Sequence, residues 1–311
     1  MLKRTLTGAV ILLFTAAFVA LKQFSSLIFD VFALILTYAS MFEVLGAYKK
    51  AGKNPHTALL GIVPAFVFAG FYASRKIFAG SEIRMLFGGM FCLMFVAAIM
   101  LIAFLTLDII IASKTRKVNL KNGEIELSEN GNCAFDGTKY SMQILAYPIL
   151  PLSFFFLLNS LPYEISYLGI ILTFAISMMT DTFAYLFGRF FGKRKFIPEI
   201  SPKKTIAGVF GGFVGGIIAA ALVFVFFYFA PYFNLINSSN IGLSIAAFAI
   251  IAILGSYINQ LGDLIASALK RKVGIKDYSN VFPGHGGFMD RVDGQMFVGL
   301  FVSLMMILFF V

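Results

Sequence analysis

Charged residues are scarce in this chain of 311 residues: Asp, Glu, Lys and Arg make up 13% of it, against roughly 25% in a soluble domain. Cysteine is scarcer still. Cys92 lies in an apolar run and Cys133 in a polar one, and neither has a Cys or His neighbour at metal-ligand spacing. A disulfide framework and a thiolate metal site are both excluded. What fills the chain is hydrophobic side chain, 59% of all residues, with a mean hydropathy of +0.90. A water-soluble body of this length could not hide that much apolar surface. Soluble enzymes, disordered scaffolds and secreted disulfide proteins drop out, and lipid must be the solvent for most of the chain.

An α-helix needs about 20 apolar residues to cross a ~30 Å hydrocarbon layer. Nine segments qualify: 5–21, 24–46, 57–74, 85–112, 143–161, 165–188, 207–233, 241–269 and 294–311. Their apolar residues surround the helix instead of striping one face, as spans require. The expectation is an all-α, polytopic membrane protein with about nine transmembrane helices, forming one integral membrane domain over 1–311. The first span follows Lys3 and Arg4 as a signal peptide would, but the immediate return through the second predicts a retained helix. The fourth is long enough to tilt or to extend past the bilayer. Residues 113–142 form a polar insert, a short hairpin or a solvated loop, to which no chemistry is assigned.

Basic residues set the orientation. One face receives Lys3, Arg4, Lys49, Lys50, Lys53, Lys114, Arg116, Lys117, Lys121, Lys139, Arg189, Lys193, Arg194, Lys195, Lys203, Lys204, Lys270, Arg271, Lys272, Lys276 and Arg291. Only Lys22, Arg75, Lys76 and Arg84 remain of the 25 for the other. The positive-inside rule then puts the N-terminus and the large loops in the cytoplasm, in the cell membrane. Anionic lipid headgroups are natural neighbours of those loops.

Five acids fall within the spans: Asp30, Glu43, Asp108, Asp181 and Asp263. Charge in a span must face protein or water, and the last four share the cytoplasmic half, which points to a polar cavity there. Taken singly, Asp30, Glu43 and Asp108 suit structural roles near helix ends. Asp263 has richer company, because Asn259, Asp263, Ser267 and Lys270 recur at i, i+4, i+8 and i+11, one face of a helix.

Beyond that helix, Pro283-Gly284-His285-Gly286-Gly287 breaks regular structure and lets backbone N–H groups approach a ligand. Asp290 and Asp293 follow three apart, with Arg291 between them. Three carboxylates amid Lys270, Arg271, Lys272, Lys276 and Arg291 suit Mg²⁺ and phosphate oxygens; the same groups could instead pair with one another. A second basic loop after Asp181 carries Ser201-Pro202-Lys203-Lys204-Thr205, offering phosphate donors. Glycines 208, 211, 212, 215 and 216 are spaced for close helix packing.

Residues 181–293 resemble the phosphatidate cytidylyltransferase (CDP-diacylglycerol synthase) family. Its signature is met by Ser267, Lys270, Arg271, Lys276, Asp277, Pro283, Gly284, His285, Gly286, Gly287, Asp290, Arg291 and Asp293. The Asp181–Tyr185 stretch, Gly188, Gly192-Lys193 and Ser201–Thr205 resemble a second block. Relatives commonly carry Glu where this chain has Ala207; Glu43 or Asp108 are candidates to offset it. The resemblance implies a multi-spanning, Mg²⁺-dependent homodimer that converts phosphatidate and CTP to CDP-diacylglycerol and pyrophosphate, with a second, monovalent ion such as K⁺ possible in the same centre. Asp263 and Asp290 match the ion-carrying positions.

The expected roles follow. Asp263 and Asp290, with Asp293, hold Mg²⁺ against phosphate oxygens. Lys270, Arg271, Lys276, Arg291 and Lys204 screen charge, while Ser201, Thr205 and Ser267 donate hydrogen bonds and Asp181 lines the substrate site. His285 is open between a phosphate donor, a partner of another side chain and a loop hydrogen bond. Membrane lipids are expected as partners and nucleic acid is not. The alternatives are a CTP-dependent kinase of a polyprenol or phytol and, from another class, an anion or phospholipid transporter, which should show internal repeats.

Overall fold

The computed structural model describes residues 16, 17, 20, 22, 23, 25–78, 81–115, 119–121, 124–126, 136–229, 241–279, 281 and 286–311. The protein is all-α and polytopic, with seven helices or helical segments among the described residues long and apolar enough to cross a membrane and a shorter apolar helix after them. These eight correspond to the second to ninth segments read from hydropathy; the segment 5–21 lies mostly outside the described residues.

Helix α1 (Ser26–Lys50) starts where the Ser25 hydroxyl accepts the Leu27 N–H at 3.2 Å. It stops at Gly52, whose φ of +71° suits a residue without a Cβ. After that turn come α2 (Thr57–Ile77) and α3 (Glu82–Thr115). The 34 residues of α3 span about 51 Å, well beyond a ~30 Å hydrocarbon layer, so the helix extends past it. Phe87, Phe91, Met94 and Phe95 on its flank are exposed and belong against lipid.

The predicted polar insert divides. Strands β1 (Asn119–Lys121) and β2 (Glu124–Glu126) pair antiparallel. From Asp136 onward the chain is already part of the bundle as α4 (Asp136–Ile144), with Thr138, Tyr140 and Ser141 buried. The fifth predicted span therefore begins earlier than its hydropathy suggested, and it is broken. A π turn at Leu145–Ile149 leads to the short α5 (Leu150–Leu152) and α6 (Phe154–Asn159). Tyr147 is extended inside the turn, at φ −155° and ψ 105°, because Pro148 disfavours the helical region for the residue before it. This broken segment is the most enclosed of the spans, and Phe154, Phe155 and Phe156 anchor the core.

Helix α7 (Tyr163–Phe191) leads through the hairpin β3 (Lys195–Ile197) and β4 (Ser201–Thr205) straight into α8 (Ile206–Phe229). The hairpin pairs Lys195 with Thr205 and Ile197 with Ser201. Glycines make α7 and α8 touch backbone to backbone: a Cβ on Gly215 would lie 2.3 Å from the Met179 carbonyl oxygen. Helix α9 (Ile241–Lys272), the short α10 (Met289–Val292) and α11 (Gln295–Phe310) complete the described fold.

Away from the motif residues, the Asp30 carboxylate is fully buried, pairs with Arg75 and accepts from Asn159 at 2.8 Å. Asp108 pairs with His56 at 2.9 Å and accepts the Thr138 N–H at 2.7 Å, tying α2, α3 and α4 together. Both acids thus have structural partners. Gly215→Ala should cost about 1–3 kcal/mol by forcing α7 from α8, seen as a lowered thermal midpoint in detergent.

Candidate functional site

The stripe read on α9 is one face of a continuous helix, and Asn259, Asp263 and Lys270 each meet a different element. Asn259 is fully buried; it accepts from Ser177 Oγ and donates to Asp181 Oδ1, both at 2.7 Å and both on α7. One turn on, Asp263 Oδ2 lies 2.8 Å from Lys204 Nζ of β4, and the same ammonium donates to the Gln260 carbonyl at 3.2 Å. Ser267 Oγ approaches Asp263 Oδ1 at 3.5 Å, a long contact. The last member, Lys270, lies 2.9 Å from Asp290 Oδ1 and 3.7 Å from Asp293 Oδ2, with its ammonium over the Tyr278 ring. Asp181, Asp263, Asp290, Asp293, Lys204 and Lys270 are thereby brought to one end of the bundle.

The loop before α10 uses its backbone differently from the expectation. Asp290 Oδ2 accepts the N–H groups of Gly287 and Tyr278, each at 2.9 Å. Glu43 on α1 accepts those of Phe288 at 3.0 Å and Met289 at 2.8 Å, and the Ser279 hydroxyl at 2.6 Å. The amides of 287, 288 and 289 thus meet the protein's own carboxylates instead of standing open to a phosphate. The two described glycines of the motif have distinct reasons. Gly286 has φ +78°, and a Cβ there would lie 2.7 Å from Asp290 Oδ2; a Cβ on Gly287 would meet Glu43 Oε2 at 2.3 Å.

Other predicted residues are placed less centrally. Thr205 is buried and its hydroxyl oxygen accepts the Gly208 N–H at 3.1 Å, securing the start of α8. Ser201 sits half-buried in the hairpin. Arg271 is exposed and donates to the Ile275 carbonyl at 3.2 Å, closing the turn after α9, and Lys276 is exposed beyond it. Arg291 is exposed, close enough to Asp181 for its charge to act there. His285, with Pro283 and Gly284, lies outside the described residues. Neither of the acids considered as an offset for Ala207 is free to serve as one, since Glu43 holds the loop and Asp108 holds His56.

Sequence reasoning did not assign roles to Tyr147 and Tyr278. Both rings are buried beside Lys270 and Phe297, with centroids 6.4 Å apart. The extended backbone at Tyr147, forced by Pro148, delivers the first; a tyrosine preceding proline in an apolar run was the available signal.

Electrostatically the site has an excess of acid. Burial first, then repulsion from Asp263 and Asp181, pushes the Asp293 carboxyl up to about 7, against the pull of Lys270 and its own hydrogen bond from the Gly294 N–H. Carboxylates that raise one another in this way favour an added cation. Among the described residues no three His, Cys, Asp or Glu side chains converge into a ready-made cage. The donor set fits Mg²⁺ held by one or two carboxylates, with substrate phosphates supplying the other oxygens. Asp263, 39% exposed, keeps lone pairs for that purpose, whereas Asp290 has one oxygen committed to two amides and the other to Lys270.

An apolar helical bundle with carboxylates, ammoniums and a glycine turn gathered at one end is an integral membrane protein with a charged centre at that end. The sequence profile of the cytidylyltransferase family matches residues 2–309, and the chain belongs to that family. It is 43% identical over 138 residues to the phosphatidate cytidylyltransferase of Staphylococcus haemolyticus, a match covering 44% of this chain and 48% of that protein. The corresponding proteins of Staphylococcus saprophyticus and Staphylococcus aureus strain COL are 40% and 39% identical over the same shares. The chain spans about half the length of the curated relatives it matches.

The Asp293 shift has a testable sign. The folded carboxyl titrates near 7 and the unfolded one near the ordinary 3.8, so without metal this group favours unfolding increasingly as pH rises between them. In chelator, Asp293→Asn should therefore unfold at a higher temperature than wild type at pH 8. The difference should shrink as the pH is lowered towards 4.

Proposed function

We propose that the chain is an integral membrane phosphatidate cytidylyltransferase, transferring the cytidylyl group of CTP to phosphatidate to give CDP-diacylglycerol and pyrophosphate. One observation carries the reading: Lys204–Asp263 and Lys270–Asp290–Asp293, drawn from the hairpin, α9 and the α10 region, stand together at one end of an apolar bundle. The family membership and the names of the relatives support the same chemistry.

The reaction joins two anions. A phosphatidate oxygen attacks the α-phosphorus of CTP, a new P–O bond forms, and the bond to the bridging oxygen of the departing pyrophosphate breaks. The attacking oxygen is already a nucleophile, so no side-chain base is needed, and the protein has only to position and to neutralise. Lys204 and Lys270 supply fixed positive charge on either side of the acids, and each is itself oriented by a carboxylate. Arg291 and Lys276, both exposed, meet the phosphates at the rim. Mg²⁺, when held by Asp263 and Asp293 with Asp290 beside them, would supply Lewis-acid polarisation of the phosphate oxygens. Asp181, fixed by Asn259, adds to the negative field that holds the ion. A monovalent ion and a homodimer remain part of the proposal.

Location fits the substrates. The bias of 21 among 25 basic residues supports a cytoplasmic position for this end of the bundle, where CTP is dissolved and phosphatidate headgroups lie at the membrane surface. Purified protein in detergent should move label from α-labelled CTP into lipid only with phosphatidate and Mg²⁺ present. Asp263→Asn and Lys204→Met should each lower the rate by roughly 100-fold or more, with thermal unfolding retained. Wild-type turnover by Asp263→Asn, or labelled lipid formed without phosphatidate, would overturn the assignment.

A further inference from the structure

The carboxylate of Glu43 stands about 245 residues from the amides it contacts, outside the 181–293 motif region, yet it takes three hydrogen bonds from the segment around α10. Its two oxygens take the N–H groups of Phe288 and Met289 and the Ser279 hydroxyl, while Asp290 takes the N–H groups of Gly287 and Tyr278. Between them the two acids fix three consecutive amides and both flanks of the turn. A Cβ on Gly287 would meet the Glu43 carboxylate and the Ser279 hydroxyl, so a side chain there would push both from their hydrogen bonds.

We infer that Glu43 is a positioning residue for the transfer reaction: it holds the loop so that Asp290 meets Lys270 and Asp293 in register. The inference rests on the proposed function and makes α1 a working part of the site. The physics is direct. A carboxylate accepting several hydrogen bonds locks a glycine-containing turn that would otherwise sample many backbone states. Asp290 is carried by that turn and orients Lys270, so a small shift of the turn displaces a charge aimed at the reacting phosphates. The role needs hydrogen-bond acceptance by Glu43, not contact with an ion or a substrate.

That distinction sets the experiment. Full-length Glu43→Ala, Glu43→Gln and Ser279→Ala would be purified in detergent beside wild type. Each would be measured for kcat and for KM towards CTP, and for backbone hydrogen exchange across 286–293. Glu43→Ala should lose up to about 100-fold in kcat with little change in KM, and exchange at 287–290 should rise. Glu43→Gln keeps one accepting oxygen for the Phe288 N–H and the Ser279 hydroxyl but sets an NH2 donor against the Met289 N–H, so it should recover only part of both; Ser279→Ala should show the mildest effect. If the alanine variant fails to fold, a graded rise in exchange from wild type through the other two supports the role, and unchanged exchange in both overturns it. Glutamine as damaging as alanine in kcat with wild-type exchange would assign the carboxylate to ion or substrate contact instead. A lower KM in Glu43→Ala would mark the amides as a phosphate site that Glu43 merely occupies, and would also overturn it. Should wild type transfer no cytidylyl group, the functional reading fails on its own, and the exchange data alone still decide whether Glu43 holds the loop.

Discussion

A carboxylate at the edge of a hydrocarbon layer has to be paired, because an isolated buried charge costs several kcal/mol even after the surroundings relax. That constraint organises this protein. Asp30 has Arg75 and Asn159, Asp108 has His56, Glu43 has a row of amides, and the acids of the site share Lys204, Lys270 and Asn259. Each pair also joins elements far apart in the chain, so electrostatic satisfaction and tertiary assembly are one event. At the site the pairing is incomplete: Asp293 remains under the repulsion of Asp263 and Asp181. Acid in excess of base leaves the centre suited to an added cation.

Much of this was legible in the residues themselves. The second to ninth helical segments follow from hydropathy, and the Asn259–Lys270 stripe follows from helical spacing alone. The glycines at 211 and 215 announced a close helix contact and make one. What escaped has physical reasons. The helix from Asp136 to Ile144 is polar in sequence yet packed, since it is tied to the bundle at two points: the Thr138 N–H donates to Asp108 Oδ2 at 2.7 Å and Ser141 Oγ accepts the His56 N–H at 2.8 Å. The break at Tyr147–Pro148 lay inside an apolar run, where hydropathy has no contrast to offer.

Glu43 shows the limit most plainly. An acid within a span was visible, but its partners are backbone amides, which every residue carries and no sequence pattern singles out. The same blindness affected the glycine motif. Its freedom of backbone predicts room for a ligand, whereas in the described part of the loop that freedom admits the carboxylates of Asp290 and Glu43.

The anchoring of Asp290 carries a lesson for dissecting this centre by mutagenesis. Its side chain shapes the turn that bears it, through Gly287 and Tyr278, and also neutralises Lys270. An inactive variant there confounds architecture with chemistry. Asp263, seated on a regular helix and owing nothing to a turn, separates the two, and is the cleaner handle for asking what the acids do.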